Sequence, residues 1–201
     1  MGEHSRYNVS GDEAKILKNK LGIADQKILE DLETLLLKDT YAHFLTLLQK
    51  GNLKFNTKLI FEIHKYFLGI LYAWAGKIRT VEISKDDMLF CASSQIKKSL
   101  QDFNRLLKNN LPISQNNRKV ISKKLSLIHC EFNAIHPFRE GNGRTIRLFL
   151  DLIAVDFGYG LIDYGKTTKM NYIKACVAGM QKDYSKMQKI LFKGLARGAN
   201  S

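Results

Sequence analysis

Apolar residues along this chain recur mostly three and four positions apart, the spacing of one face of an α-helix, and only one stretch breaks that rhythm. The pattern predicts a short helix near 12–21 that stops at Gly22. A long one follows over about 25–50, with Ile28, Leu32, Leu35 and Leu36 along one stripe, and ends at Gly51 and Asn52. Asn56 or Thr57 caps the next helix, which carries Leu59, Ile60, Ile63, Phe67 and Ile70. From Lys77 to Phe90 the pattern alternates instead. Ile78, Thr80, Val81 and Ile83 lead into the polar run Ser84, Lys85, Asp86, Asp87 and then Met88, Leu89 and Phe90, which reads as a β-hairpin. Helical spacing resumes after Ser93 or Ser94 with Ile96, Leu100, Phe103 and Leu107. The cleanest stripe is Ile121, Leu125, Ile128, Phe132 and Ile135, at alternating steps of four and three. Pro137 removes a backbone donor and biases His136 away from helical angles, so this helix should end at that histidine. An apolar segment from Thr145 to Val155 reads as a buried helix running to Gly158. Two more open at Thr167 or Thr168 and at Ser185, and the last residues, 198–201, are expected to fray. No repeat or linker interrupts the series, so 1–201 reads as one domain, all-α apart from the hairpin.

Composition narrows the function classes. A hydrophobic content of 45% over 201 residues can bury a real core. No run approaches the eighteen or so apolar residues of a membrane-spanning helix, and the first residues lack the apolar run of a signal peptide. Cys91, Cys130 and Cys176 show no metal-like spacing and are expected as small core residues in a reducing compartment, so the chain reads as cytoplasmic. The net charge is +13, from 32 Lys and Arg against 19 Asp and Glu, but the lysines are scattered rather than gathered into an arm. With no helix-turn-helix, zinc or RNA-binding signature, direct nucleic-acid binding is not expected. A catalytically silent basic binding module is the rival from another class.

The candidate chemistry lies in one stretch, His136-Pro137-Phe138-Arg139-Glu140-Gly141-Asn142-Gly143-Arg144-Thr145-Ile146-Arg147. His136 titrates nearest neutral pH and could take a proton from a hydroxyl. Glu140 offers a hard oxygen ligand suited to Mg²⁺. Gly141 and Gly143 flank Asn142, and such a turn lets successive N–H groups converge on an anion, beside the N-terminus of the following helix. Arg144 and Arg147, three apart, should project from one helix face back toward that anion. A base, a metal ligand, an anion cradle and two guanidiniums in one unit suggest phosphoryl or nucleotidyl transfer.

The order of these residues resembles the Fic (filamentation induced by cAMP) signature, His-Pro-Phe-x-Asp/Glu-Gly-Asn-Gly-Arg-x-x-Arg, and matches every fixed position. The resemblance covers about residues 15–195. It implies a mainly helical fold and an adenylyltransferase, which moves AMP from ATP onto a Ser, Thr or Tyr hydroxyl of a target protein. It implies His136 as general base, Glu140 holding the Mg²⁺, the backbone of Gly141, Asn142 and Gly143 on phosphate oxygens with the Asn142 side chain helping, and Arg144 and Arg147 on the β- and γ-phosphates. Phe138 would be a core anchor. Glycine at 143, rather than the lysine of a phosphorylating branch, favours AMP transfer. Other donors (UTP, GTP, CDP-choline) and phosphoryl transfer are the alternatives within the family.

In Fic proteins a flap before the motif pairs its edge with the target segment, and Thr80, Val81, Glu82, Ile83, Ser84 and Lys85, in a flap of about 78–92, resemble it. Asn171 and Tyr172 are the candidates for an adenine pocket. His129 is expected as a packed helix residue, and His43 and His64 give no hint of a site. Many Fic proteins carry a Ser/Thr-x-x-x-Glu inhibitory segment, but no glutamate of this chain has Ser or Thr four residues before it. The stretch 19–26 resembles the opening of toxin-type bacterial Fic domains, which pair with a separate small antitoxin and whose known targets include type II topoisomerase subunits.

Overall fold

The stripe on Ile121, Leu125, Ile128, Phe132 and Ile135 becomes the buried face of a central helix. In the computed structural model, which describes residues 8–9, 16–85, 88–111, 113 and 117–198, the helices among those residues are α1 (Gln26–Gln49), α2 (Thr57–Leu68), α3 (Ile96–Asn110), α4 (Arg118–Ile135), α5 (Asn142–Asp156), α6 (Lys169–Met180) and α7 (Ser185–Gly194). The strands are β1 (Asn8–Val9), β2 (Ile83–Lys85) and β3 (Met88–Leu89). Helix α4 starts where the Asn117 side chain accepts the Val120 N–H at 2.9 Å. It touches α3, α5, α6 and α7, so its apolar residues meet partners on nearly every side. The main core gathers side chains from α2 through α7. A smaller cluster of Leu29, Phe67, Leu68, Leu71, Tyr72 and Ala75 joins α1 to the end of α2.

Three expectations need correction. Residues 16–21 of the first expected helix are not helical, and 12–15 lie outside the described residues. The Asn19 side-chain oxygen accepts the N–H groups of Leu21 (3.2 Å) and Ile23 (2.9 Å), offering the backbone a local alternative to a helix. The stripe on α1 is rotated by one residue. Leu29, Glu33, Thr40 and Phe44 face inward, whereas Ile28 and Leu35 are 58% and 61% exposed. The rotation is tolerable because the buried polar positions have partners: Thr40 donates to the Leu36 carbonyl at 2.6 Å, and Glu33 is paired within the site. Helix α2 ends at Leu68 with Gly69 as its cap, which leaves Ile70 outside it and 56% exposed.

The hairpin forms, antiparallel, with Ser84 opposite Leu89 and Lys85 opposite Met88; its expected turn residues Asp86 and Asp87 lie outside the described residues. Only the last three residues of the expected 80–85 run are strand. A third strand, which the hydrophobic pattern did not indicate, pairs Asn8 with Ser84 and Val9 with Ile83. Strand β2 is therefore the centre of the order β1-β2-β3, and both its edges are taken. Cys130 and Cys176 are buried and Cys91 half-buried, all as free thiols. Of the expected tail, 198–201, Gly198 is tied down, its N–H donating to the Gly158 carbonyl at 3.1 Å, and 199–201 lie outside the described residues. Among the described residues no helix is long and apolar enough to cross a membrane.

Candidate active site

Pro137 stops α4 as expected, and His136 becomes its cap in the left-handed region, φ 49° and ψ 61°. Its Nδ1 lies 3.0 Å from the Asn133 carbonyl. A carbonyl can only accept, so Nδ1 carries the proton and Nε2 is the basic nitrogen. The ring is 3% exposed and stacks on Phe90 at 3.8 Å between centroids, beneath the flap. Burial pulls its pKa down to about 3, and the Arg79 and Lys85 charges act in the same direction, so the imidazole is neutral at physiological pH.

Phe138 is fully buried and anchors the loop. Both ends of the Asn142 amide serve that anchor: its Oδ1 accepts the Phe138 N–H at 2.8 Å, and its Nδ2 donates to the Phe138 carbonyl at 2.7 Å. The Asn142 side chain therefore shapes the loop. The N–H groups expected to form the cradle differ in their commitments. Gly141, at φ 80°, caps α5 and spends its N–H on the Glu140 carboxylate at 2.8 Å. The uncommitted first turn is instead that of Asn142, Gly143 and Arg144, whose N–H groups have no carbonyl four residues back within the helix. A Cβ at 141 would come within 2.8 Å of Leu68 Cδ1, so glycine is required there by both conformation and space. A Cβ at 143 would meet nothing within 4 Å, so that position borders open space.

Arg144 and Arg147 do not share a direction. Arg144 Nη1 meets Glu33 Oε2 at 2.5 Å, its Nη2 lies 3.8 Å from Glu140 Oε1, and its guanidinium sits over Phe67 at 5.0 Å. The other Glu33 oxygen accepts the Tyr72 hydroxyl at 2.6 Å. Arg147 turns the other way, 5.7 Å from the Tyr164 ring and 5.9 Å from the Tyr172 ring. The Tyr172 hydroxyl is bonded to His129 Nε2 at 2.6 Å, whereas Asn171 is exposed, so the two adenine-pocket candidates stand in different surroundings. Behind Arg147, Tyr41 donates to Asp151 at 2.7 Å, and burial raises the Asp151 carboxyl to about 6. Residues three apart differ by about 60° around a helix, and long side chains widen that divergence.

Glu140 is the one motif carboxylate, with 18% of its side chain exposed, and burial raises its pKa. Mg²⁺ is commonly held by one or two carboxylates together with substrate phosphates, and this donor set fits that pattern. Among the described residues no group of three or more His, Cys, Asp or Glu could form a protein-only metal cage.

Sequence reasoning missed three residues around this loop. His64, fully buried, accepts the Gly76 N–H at Nδ1 (2.8 Å), so its Nε2 donates to the Glu140 carbonyl (2.9 Å); its ring stacks on Phe138 at 3.7 Å. Burial lowers its pKa to about 4. Glu33 could have been suspected from its place four residues after Leu29 and seven before Thr40, on the stripe that proves buried. Arg79 ties the loop to the flap, and no local pattern marks it. On the flap, Thr80 and Glu82 are exposed, and the Glu82 carboxylate accepts the Ser93 N–H and hydroxyl (2.9 and 2.6 Å), bracing the hairpin base.

A helical body with a β-flap over a histidine-headed loop at a helix N-terminus is the Fic fold. The likeness to BepC from Bartonella tribocorum, solved with bound AMPPNP, has a TM-score of 0.74 at 21% identity and covers 93% of this chain and 95% of that one. The chain belongs to the Fic/DOC family, whose model matches residues 54–154. It is 30% identical over 184 residues to the probable protein adenylyltransferase y4lH of Sinorhizobium fredii, covering 89% of this chain and 93% of that protein. It is also 30% identical over 198 residues to the protein adenylyltransferase VbhT of Bartonella schoenbuchensis, covering 94% of this chain but only 40% of VbhT.

Proposed function

We propose that the chain is a protein adenylyltransferase, transferring AMP from ATP to a Ser, Thr or Tyr hydroxyl of another protein. The observation that carries this reading is the His136 tautomer: a proton fixed on Nδ1 leaves Nε2 basic, on a histidine five residues before the cap of a helix whose N-terminus can take an anion. The names of the relatives support the same activity. Nε2 takes the acceptor's proton as its oxygen attacks the α-phosphorus, and the bond from that phosphorus to the bridging oxygen breaks as pyrophosphate leaves. General-base help of this kind is worth about 10²–10⁴-fold. The N–H groups of Asn142, Gly143 and Arg144 hold phosphate oxygens, and Arg144 and Arg147 offset the charge of the leaving group. Glu140 is the residue that would hold Mg²⁺, which would offset the charge of the triphosphate.

The flap docks the acceptor segment. Since both edges of β2 are taken, that segment pairs along the outer edge of β3 or displaces β1. Type II topoisomerase subunits as targets, and a separate small inhibitory protein, are the partners the family likeness supplies. The test is incubation of a lysate with ATP labelled on the α-phosphate. Label on protein, absent with His136→Ala, is the expected result. Transfer from the γ-phosphate would move the reading to phosphorylation, and no transfer from either position would move it to another donor.

A further inference from the structure

Arg79 is the most deeply buried cation of the flap region, with none of its side chain exposed. Its guanidinium fork reaches three backbone carbonyls. Nε donates to His136 at 2.8 Å, Nη1 to Val81 at 2.7 Å, and Nη2 to Cys91. Its own N–H donates to the Pro137 carbonyl at 2.8 Å. Among the described residues its carboxylate partner is Glu82, 3.7 Å away and more than half exposed, so the shorter contacts to this buried charge are to carbonyl oxygens. Val81 is where the chain enters the hairpin and Cys91 is where it leaves. The third carbonyl belongs to His136 itself, at the left-handed cap that a non-glycine residue holds only when its surroundings over-determine it. Phe90, one residue before Cys91, stacks on the imidazole, and the Cys91 N–H donates to the Ala134 carbonyl at 3.0 Å. One planar fork thus joins both ends of the flap to the backbone of the histidine beneath it.

We propose that Arg79 is a positioning residue for the transfer reaction, locking the left-handed His136 cap to both ends of the flap so that Nε2 and the docked acceptor keep a fixed relation. The inference rests on the adenylyltransferase reading. A lysine carries the same charge on one compact nitrogen and cannot reproduce the planar fork whose three separate nitrogens reach these carbonyls, so Arg79→Lys separates the fork from the charge. Misplacement of a reacting group by about 1 Å costs on the order of 10²-fold, which sets the expected scale.

In Arg79→Lys, kcat for labelled-AMP transfer falls about 10²-fold, while the KM for ATP and the Kd of a non-hydrolysable ATP analogue change by less than about threefold, because the phosphate-facing groups are untouched. The His136 ring ¹⁵N signals shift from a single Nδ1–H tautomer in the wild type to a mixture in the variant, a readout independent of turnover. A folded Arg79→Lys with wild-type kcat and an unchanged tautomer overturns the inference; absence of transfer by the wild type would instead sink the adenylyltransferase reading. Should the variant not fold, the wild type decides. A through-hydrogen-bond coupling between Arg79 Nε and the His136 carbonyl carbon is expected, and its absence overturns the proposal.

Discussion

The two guanidiniums of α5 stand one turn apart and live in opposite chemistry. On the α1 side, Arg144 is gripped by Glu33 and approached by Glu140, two carboxylates that any phosphate must compete with. On the α6 side, Arg147 lies among the tyrosine rings of Tyr164 and Tyr172, which shield it without offering a rival anion. The motif writes both residues as arginine, yet a triphosphate would have to displace a salt bridge to reach the first and only enter a cage to reach the second. What a site arginine can do is set by what already holds it.

The largest effect that bears on this contrast is acid, since each wall is held by a buried neutral histidine, His64 beside Glu140 and His129 beside Tyr172. Burial lowers His64 from 6.5 to about 4, and lowers His129 and His136 from 6.5 to about 3. Above about pH 6.5 both folded and unfolded chains hold these rings neutral, and stability is complete. Below it the unfolded chain binds protons that the folded one refuses, so stability falls by about 1.4 kcal/mol per pH unit for each ring until its folded pKa is passed. Asp151, raised from 3.8 to about 6, runs the other way, as do Glu140 and Asp156, whose carboxyls burial also raises: each binds its proton more readily when folded and gains stability as pH falls. The three histidines begin to lose stability first, near pH 6.5, and outweigh these carboxyls between about pH 7.5 and 5. Urea titrations at about pH 7.5, 6 and 5 should therefore give a steadily falling unfolding free energy, and a flat profile would contradict the burial of these rings.

Glu33 gives the next largest effect. Glu33→Ala removes one partner of a nearly buried ion pair and takes away the acceptor 2.6 Å from the Tyr72 hydroxyl, a loss of about 3–5 kcal/mol in urea unfolding. Glu33→Gln keeps an acceptor for Tyr72 and removes only the charge. It should cost less stability and tighten binding of an ATP analogue, by up to about tenfold (about 1.4 kcal/mol), because the phosphate no longer competes with a carboxylate. If Glu33→Gln weakens the analogue as much as Arg144→Ala does, Glu33 orients Arg144 instead of withholding it.

Legibility in the sequence followed distance along the chain. The α4 stripe, the stop at Pro137, the buried α5 and the hairpin all depend on neighbours within a few residues, where periodicity and turn chemistry act. The phase of α1 was misread because Ile28 and Leu35 look like core until Glu33 and Thr40 have partners, and those partners are set by tertiary contact. The same holds inside the site. Glu33 meets Arg144 across 111 positions, His64 meets the Glu140 carbonyl across 76, and Arg79 meets the His136 carbonyl across 57. The motif named the candidate residues of the loop; it could not name those that hold them.

The smallest effect is expected on the tyrosine wall, and it separates a cage from an adenine pocket. Tyr172→Phe keeps the ring near Arg147 but deletes the hydroxyl that bonds His129 at 2.6 Å and also hydrogen-bonds the Arg147 side chain. The His129 Nδ1 already has no hydrogen-bond partner in the structure, so after the change both ring nitrogens of a buried imidazole would lack one. The cost should be about 1–3 kcal/mol in urea unfolding, the penalty for leaving a buried polar group unsatisfied. The KM for ATP should rise only a few-fold (about 1 kcal/mol or less), since the aromatic face beside the guanidinium survives. Measured across ATP, GTP and UTP, that rise should be the same for each, because a residue that orders Arg147 acts on the phosphates all three share. A change confined to ATP would place Tyr172 against the base, and the α6 wall would then be read as an adenine pocket.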